Sequence, residues 1–249
     1  LGVLDGWWAI RDPEIHLFPR RLDQPVWAPQ DNAADMLPFL FLTAHYLAPE
    51  RIVELSRALE SEKRLTSRLG PLPDWYSIPE RRFVHEQPDV VRIIFNAAEY
   101  CKDGLIPMTE VMGRGPWTER MIELIDAIFD HAPIASDFGQ LPANDSEVNG
   151  DILQTLARLC AMTRDSKYLH WAERIGDAYC LEVLPRNGGL PPHRWDFEKH
   201  LATADTLNLN DHGNELIGGL AELYTITQAI HPEKAKQYKA SLKEGATSG

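Results

Sequence analysis

Pairs of carboxylates spaced by four residues stand at the start of three predicted helices. The pairs are Asp31 with Asp35, Glu147 with Asp151, and Asp211 with Glu215. A spacing of four places both carboxylates of a pair on one face of a helix. Hydrolysis of a glycosidic bond needs one protonated acid and one ionised carboxylate, about 5–9.5 Å apart. Acids from neighbouring helix starts meet that distance, although acids in a first turn also cap helices and favour the helix dipole.

The segment from Asn208 to Glu215 is the densest polar stretch, with six polar side chains around Gly213. His212 titrates near neutral pH and is suited to acid–base work. A plain helix cap needs one such residue, so the segment is predicted to line a site. The predicted catalytic residues are Asp211, His212, Glu215, Glu147 and Asp151, with Asn149 beside them as a substrate-binding residue.

Most tryptophans fall outside the predicted helices. An indole face packs well on the C–H face of a pyranose ring, and its N–H can meet a hydroxyl. The residues predicted to contact substrate in this way are Trp7, Trp8, Trp75 and Trp195, together with the acids Asp31 and Asp35. Trp195 is expected to cover the pocket. The alternative is that these rings fill the ends of the helical layers.

Signatures of metals and cofactors are weak, and none is predicted. His193, Asp196 and His200 have no recognised partner motif, so no metal is expected there. Ca²⁺ held by loop carboxylates is the one alternative left open. The three cysteines form no C-x-x-C, which argues against a thiolate zinc site. Motifs of nucleotide and nicotinamide binding are also absent from the sequence.

Hydrophobic periodicity predicts eight helices and almost no strands. The predicted helices are residues 35–47, 50–65, 89–101, 117–131, 149–163, 167–183, 214–229 and 233–244. They fall into four pairs, and the first helix of each pair has a comparable opening acid. Those acids are Asp35, Asp89, Asp151 and Glu215. Such a weak repeat predicts an all-α chain of about four helical hairpins, an α/α toroid or a partial one, as a single domain over residues 1–249.

Three segments carry a resemblance to the six-hairpin glycosidase superfamily. They are VNGDILQTLARLCAMTRDSKYLHWAERIGDAYC (148–180), LNDHGNELIGGLAELYTIT (209–227) and QDNAADMLPFLFLTAHYL (30–47). The likeness lies in the helix pattern rather than in a catalytic signature. It implies a toroid of helical hairpins and sugar chemistry, as in glycoside hydrolases, sugar epimerases and, in related toroids, polysaccharide lyases. Four hairpins where that superfamily has six imply a fragment, or two hairpins hidden in loops.

Composition limits the partners. The net charge is −12, which argues against nucleic acid and against a membrane held by basic residues. No stretch of about 18 apolar residues exists, so no membrane span is predicted. The expected partner is an oligosaccharide or polysaccharide. The chain starts at Leu1, as it would after removal of a signal peptide or in a trimmed sequence, so an extracytoplasmic location is slightly favoured.

Three functions remain open at this stage. The first is hydrolysis of a glycosidic bond by paired carboxylates. The second is a lyase or epimerase on the same fold. The third is a non-catalytic helical-repeat module that binds a glycan or a protein. Burial distinguishes the third from the others, because a scaffold leaves its acids solvated and separate, whereas an enzyme gathers them in a tryptophan-walled pocket.

Overall fold

The computed structural model describes residues 2–206 and 213–247, with side chains described as far as residue 243. Contacts divide the chain into two compact units, Leu1–Ile128 and Phe129–Gly249. Both units are mostly helical, as the hydrophobic periodicity predicts. Within the described ranges, no helix is long and apolar enough to cross a membrane.

All eight predicted helices are present, and their bounds differ from the predictions at several ends. The α-helices are α1 (Gly2–Ile10), α2 (Leu37–Leu47), α3 (Ile52–Thr66), α4 (Val90–Glu99), α5 (Ile106–Met112), α6 (Pro116–Asp130), α7 (Ser146–Thr163), α8 (Ser166–Asp177), α9 (Leu184–Arg186), α10 (Glu215–Ile230) and α11 (Pro232–Thr247). The short helix α1 was not predicted. It contains Trp7 and Trp8, so the expectation that these two lie in a non-helical stretch is wrong.

Wide π-helical turns join several of these helices into longer rods. Pro29–Met36 leads into α2, Tyr100–Leu105 connects α4 to α5, and Ala178–Val183 connects α8 to α9. Each π segment is followed at once by a helix with proline in its first two positions, namely Pro38, Pro107 and Pro185. Proline lacks an N–H and clashes with the carbonyl four residues earlier. The wider turn before each proline allows the helical rod to continue through it.

The strands are short and form only antiparallel sheets in the described ranges. They are β1 (Val26–Trp27), β2 (Ser67–Leu69), β3 (Leu72–Pro73), β4 (Tyr76–Ser77), β5 (Arg82–Phe83), β6 (Arg194–Asp196) and β7 (Leu201–Ala204). One sheet has the order β1-β4-β5, and β2-β3 and β6-β7 are separate hairpins. The long segments between the predicted helices therefore contain ordered structure, with β2 to β5 between α3 and α4 and the β6-β7 hairpin between α9 and α10.

In the first unit, the rod of residues 29–47 packs beside the rod of residues 90–112. Gly104 lies so close that a Cβ there would be 2.7 Å from the backbone oxygen of Ala33. The two rods run in the same direction, since α4 contacts the Pro29–Met36 turn and α5 contacts α2. Helices α3 and α6 are joined by a buried ion pair, with Arg120 Nη2 2.6 Å from Glu62 Oε1. Breaking such a pair by removing one partner costs about 3–5 kcal/mol.

In the second unit, α7 and α10 run parallel in close contact. Gln154 Nε2 donates a hydrogen bond to the backbone oxygen of Glu215, and further along the helices Arg158 pairs with Glu222. Helices α8 and α11 are paired in the same way. Tyr238 donates to Asp177 Oδ1 at 2.7 Å, and Lys234 lies 2.7 Å from Asp177 Oδ2. Within the second unit, the first helices of the two pairs thus pack on each other, and so do the second helices.

Candidate functional site

The start of α7 is capped by Asp145, which the sequence analysis did not single out. Its Oδ1 accepts hydrogen bonds from the backbone N–H of Glu147 at 3.0 Å and of Val148 at 3.5 Å. Its Oδ2 lies 3.3 Å from Nε of Arg194, on strand β6. Because Asp145 performs the capping, that role does not account for Glu147 or Asp151. The sequence signal for it was an aspartate just before an apolar periodic segment, which is typical of an N-cap.

Two acids of the predicted site lie within the described part of α7. Glu147 is the second residue of the helix and is 5% exposed. Asp151 is one turn further and fully buried, so the expectation that it opens the helix is wrong. The spacing of four residues holds, as predicted. A buried carboxylate is costly unless it is paired or hydrogen-bonded, so a protein keeps such groups where they serve a purpose.

Helix α10 brings a third buried acid to the same place. Glu215 is its first residue and is 8% exposed. A Cβ on Gly150 would lie 2.2 Å from the backbone nitrogen of Leu216, so the two helices touch beside Asp151 and Glu215. The expected proximity of the α7 and α10 starts is present within this unit. Asp211 and His212, which were predicted to join them, lie outside the described residues.

Asn149 is held by backbone and side-chain partners of its own unit. Its Nδ2 donates to the backbone oxygens of Ala143 and Asp145 and to the hydroxyl of Tyr179, at 2.8, 3.0 and 3.2 Å. The side chain is fully buried. These bonds fix the loop that leads into α7, and the geometry supports a positioning role for Asn149.

Trp195 lies at the edge of a cavity of about 560 Å³ at the start of α7. The walls include Ile134, Asn144, Phe197 and Thr203. The indole is only 2% exposed, and its Nε1 donates to Glu182 Oε1 at 2.8 Å. Trp195 thus anchors one wall of the cavity, and its ring faces are covered by protein rather than offered for stacking.

In the first unit, two predicted site residues meet around Arg20. The guanidinium pairs with Asp31, with Nε 2.8 Å from Oδ2, and also lies over the ring of Trp75. Trp75 Nε1 donates to Gln30 Oε1 at 3.0 Å. Arg20 and Gln30 were not predicted. Their signal, an arginine on a loop and an amide beside a helix-opening acid, is too common to single them out.

The other residues of the first unit do not join this group. Asp35 lies in the π segment and is exposed. Partial burial and the charges of Asp103 and Asp31 raise the pKa of Asp35, although Lys102 works in the opposite direction. Asp89 is the N-cap of α4 and accepts from the N–H of Val91 at 3.0 Å.

The two tryptophans of α1 are half-buried, and the surroundings of Trp8 are well defined. The guanidinium of Arg11 lies 4.6 Å from its ring centroid and that of Arg51 lies 5.3 Å away. The edge of Trp8 packs against Phe18. The ring of Trp8 is therefore packed against protein, with two guanidinium groups close to it.

The residues proposed in the sequence as a weak metal pattern do not converge. His193 lies near Asp145, and Asp196 pairs with Lys199. His200 instead contacts Glu182, with Nδ1 2.9 Å from Oε1. Ligand atoms of Asp137, Glu182 and His200 all lie within 4.8 Å of one another, which makes these three the candidate metal ligands of the described chain.

Comparison with known proteins adds no family or function. No protein-family model and no curated protein sequence matches this chain. Function must therefore be argued from the site itself.

Proposed function

We propose that the chain is part or all of an α/α-hairpin toroid that hydrolyses glycosidic bonds in an oligosaccharide or polysaccharide. The proposed acids are Glu147, Asp151 and Glu215, with Asp211 and His212 carried over from the sequence. Carboxylates of this kind can divide the work of general acid and of base or nucleophile.

The burial of Glu147, Asp151 and Glu215 at the contact between α7 and α10 is the observation that carries this proposal. Glycoside hydrolysis uses two carboxyl groups, one that donates a proton to the leaving oxygen and one that acts as base or nucleophile. Acids gathered at the contact between two helices are suited to such a division of roles. The cap of α7 is Asp145, so helix capping offers no competing reason for Glu147 and Asp151.

Two further features support the proposal. A cavity large enough for a sugar residue opens beside Asn144, one residue before the α7 cap, and its lining does not include the three buried acids. Each unit also pairs parallel neighbouring helices, which is the packing that a toroid of helical hairpins repeats around its ring. The first helices of the pairs would then form the inner layer of the toroid and the second helices the outer layer.

The lyase alternative is weaker at this site. A lyase needs a tyrosine or histidine base to take a proton next to a uronate carboxylate. Burial raises the pKa of Tyr179, the phenol beside Asn149, to about 12, even though its hydrogen bonds with Ser146 and Asn149 act to lower it. A phenol with a raised pKa is a poor base at neutral pH. The scaffold alternative is disfavoured by the burial of the three acids.

The test is a screen of the full chain against polysaccharides and aryl glycosides, followed by Glu147→Gln and Glu215→Gln on any substrate found. Loss of a general acid or its partner typically lowers the rate by about 10²–10⁴-fold. We expect at least one of the two variants to show a loss of that size while retaining its circular dichroism spectrum.

Glu119→Gln is the matched control. Glu119 is also an acid in a first helical turn, but it is exposed and belongs to α6 in the other unit. We expect this variant to retain full activity. Full activity in both folded variants, Glu147→Gln and Glu215→Gln, would show that these acids are structural.

A further inference from the structure

We propose that Asp137, Glu182 and His200 bind a divalent first-row transition-metal ion such as Zn²⁺. The three residues come from separate segments of the second unit. Asp137 lies in the loop before α7, Glu182 in the π segment after α8, and His200 in the turn between β6 and β7. No part of the glycosidase proposal is needed for this inference.

The geometry brings one nitrogen and two carboxylate ligands to a common point. The ligand atoms lie within 4.8 Å of one another. Nδ1 of His200 and Oε1 of Glu182 are 2.9 Å apart, a separation that two atoms bound to one ion can adopt. Zn²⁺ holds nitrogen and oxygen ligands at about 2.0–2.2 Å. Asp137 is exposed, so its side chain can rotate to bring its carboxylate within bonding distance of such an ion without disturbing a core.

The charge of Glu182 is the second and independent reason. Its carboxylate is 5% exposed, and in the described ranges no lysine or arginine lies within ion-pair distance of it. Its side-chain partners there are the indole N–H of Trp195 and the imidazole of His200. A buried carboxylate calls for a compensating cation. A metal ion bound by both Glu182 and His200 would supply one.

The donor set indicates the class of metal. Imidazole suits Zn²⁺, Cu²⁺, Fe²⁺ and Ni²⁺, whereas Mn²⁺, Ca²⁺ and Mg²⁺ prefer oxygen ligands. Three protein ligands leave at least one coordination position for water. The indole of Trp195, which donates to Glu182 Oε1, acts as an outer partner that orients a ligand.

The ion would link the β6-β7 hairpin, which lines the cavity, to the rod that contains α8. Glu182 belongs to the rod that contains α8. His200 and Trp195 belong to the β6-β7 hairpin, and Trp195 and Thr203 line the cavity of about 560 Å³. Asp137 comes from the same loop as Ile134, which also lines that cavity. Metal binding would therefore link three segments that meet at the cavity.

Calorimetric titration of the metal-stripped full chain with ZnCl₂, MnCl₂, CaCl₂ and MgCl₂ tests the site. We expect one equivalent of Zn²⁺ to bind the wild type and to raise its melting temperature. Asp137→Asn removes one ligand from an exposed position where the side chain has no hydrogen bond or ion pair with another described residue, so the fold should be retained. Loss of even an outer partner weakens metal binding about 10–100-fold, so we expect at least that loss here.

Glu198→Gln is the matched control, because Glu198 is an exposed acid in the same β6-β7 connection but not one of the three ligands. Its Zn²⁺ affinity should equal that of the wild type. The proposal is overturned if the wild type shows no saturable Zn²⁺ binding, if Asp137→Asn binds Zn²⁺ as tightly as the wild type, or if Ca²⁺ or Mg²⁺ binds more tightly than Zn²⁺.

X-ray absorption at the zinc edge of the wild-type complex gives a test that needs no variant. We expect one imidazole and otherwise oxygen ligands. A sulfur ligand would mean that Zn²⁺ is bound by a cysteine, and the proposed site would then be wrong. Metal binding without any activity on glycans would count against the glycosidase proposal alone.

Discussion

Individual acids that look alike in the sequence have three different roles in the structure. Asp89 and Asp145 cap helices. Asp31 forms an ion pair with Arg20 on a half-exposed surface. Glu147 is buried behind a cap that is already in place. The role of an acid near a helix start therefore depends on whether another residue already caps that helix. A helix has one N-cap position, so the acids that follow a cap are not needed for capping.

Asp35→Asn should stabilise the protein at neutral pH. The raised pKa of Asp35 means that its ionised form is disfavoured in the folded state. Its contribution to stability is thus fully present below the ordinary value of 3.8 and is lost as pH rises through the folded-state pKa. Because solvent screens an exposed carboxylate, we expect a gain below about 0.5 kcal/mol.

Urea unfolding at neutral pH and near pH 3 measures this effect. The gain should appear at neutral pH and disappear at about pH 3, where the carboxyl group is protonated in both states. A variant that is less stable than the wild type at neutral pH would show that Lys102 outweighs the neighbouring acids.

At the scale of elements, glycines and prolines set how the helices are arranged. Gly150 and Gly219 allow α7 and α10 to touch, since a Cβ on Gly219 would lie 2.7 Å from the Cβ of Leu153. Prolines keep their helices continuous by way of π turns, which lengthen the rods. The glycines bring the proposed acids together, because only close backbone contact places the starts of α7 and α10 side by side.

Gly150→Ala and Gly218→Ala should have opposite effects on stability. A Cβ at position 150 would meet the backbone nitrogen of Leu216 at 2.2 Å, and backbone cannot move aside cheaply. Overpacking of this kind costs about 1–3 kcal/mol. At Gly218, on exposed α10 surface, the nearest atom would be 3.7 Å away in the side chain of Gln154. Alanine there should add about 0.5–1 kcal/mol, because glycine is a poor helix former.

Chemical denaturation of the two variants provides the measurement. Equal effects of the same sign would indicate that α7 and α10 do not pack as described. Under the glycosidase proposal, Gly150→Ala should also lose activity, since separation of the helices would separate Asp151 from Glu215.

At the scale of the whole molecule, a net charge of −12 limits the substrates that the protein can attract. An acidic protein repels polyanions over about one Debye length, which is about 30 Å at 0.01 M salt and about 8 Å at 0.15 M. A neutral glycan does not experience this repulsion. Under the glycosidase proposal, the charge therefore favours a neutral or weakly charged saccharide as the substrate.

The salt concentration should thus affect activity or binding differently for neutral and for uronate polysaccharides. Under the glycosidase proposal, kcat/KM for a neutral glycan should stay constant between about 0.01 and 0.15 M NaCl. Any activity or binding toward a polyuronate should rise over the same range, because screening removes the repulsion. Binding to a polyuronate that weakens as salt rises would reveal a local basic surface and favour the lyase alternative.

Local patterns in the sequence were sufficient for eight helices but not for α1, for α5 or for several helix ends. The periodic apolar residues of α6, α7 and α10 predict those helices within a few residues. The rod of residues 90–112 was predicted to end at 101, and it continues through Gly104 and Pro107. A π turn and a packed neighbouring rod compensate for both, and tertiary packing of this kind overrides propensity.

The candidate site was predicted only in part, for a related reason. The spacing of Glu147 and Asp151 follows from the helix period alone. The cap at Asp145 and the convergence of Asp137, Glu182 and His200 depend on the return of a distant hairpin, which no local pattern reports.

The sequence by itself determined a mostly helical, acidic chain with paired carboxylates at its helix starts, because periodicity, composition and spacing are local properties. Only the tertiary structure decided which of those acids are buried. It also decided that the ring of Trp195 is covered and that His200, and not His193, lies beside Glu182. Burial and long-range contact depend on how close the backbones of separate elements come, and that distance is set by packing across the whole unit.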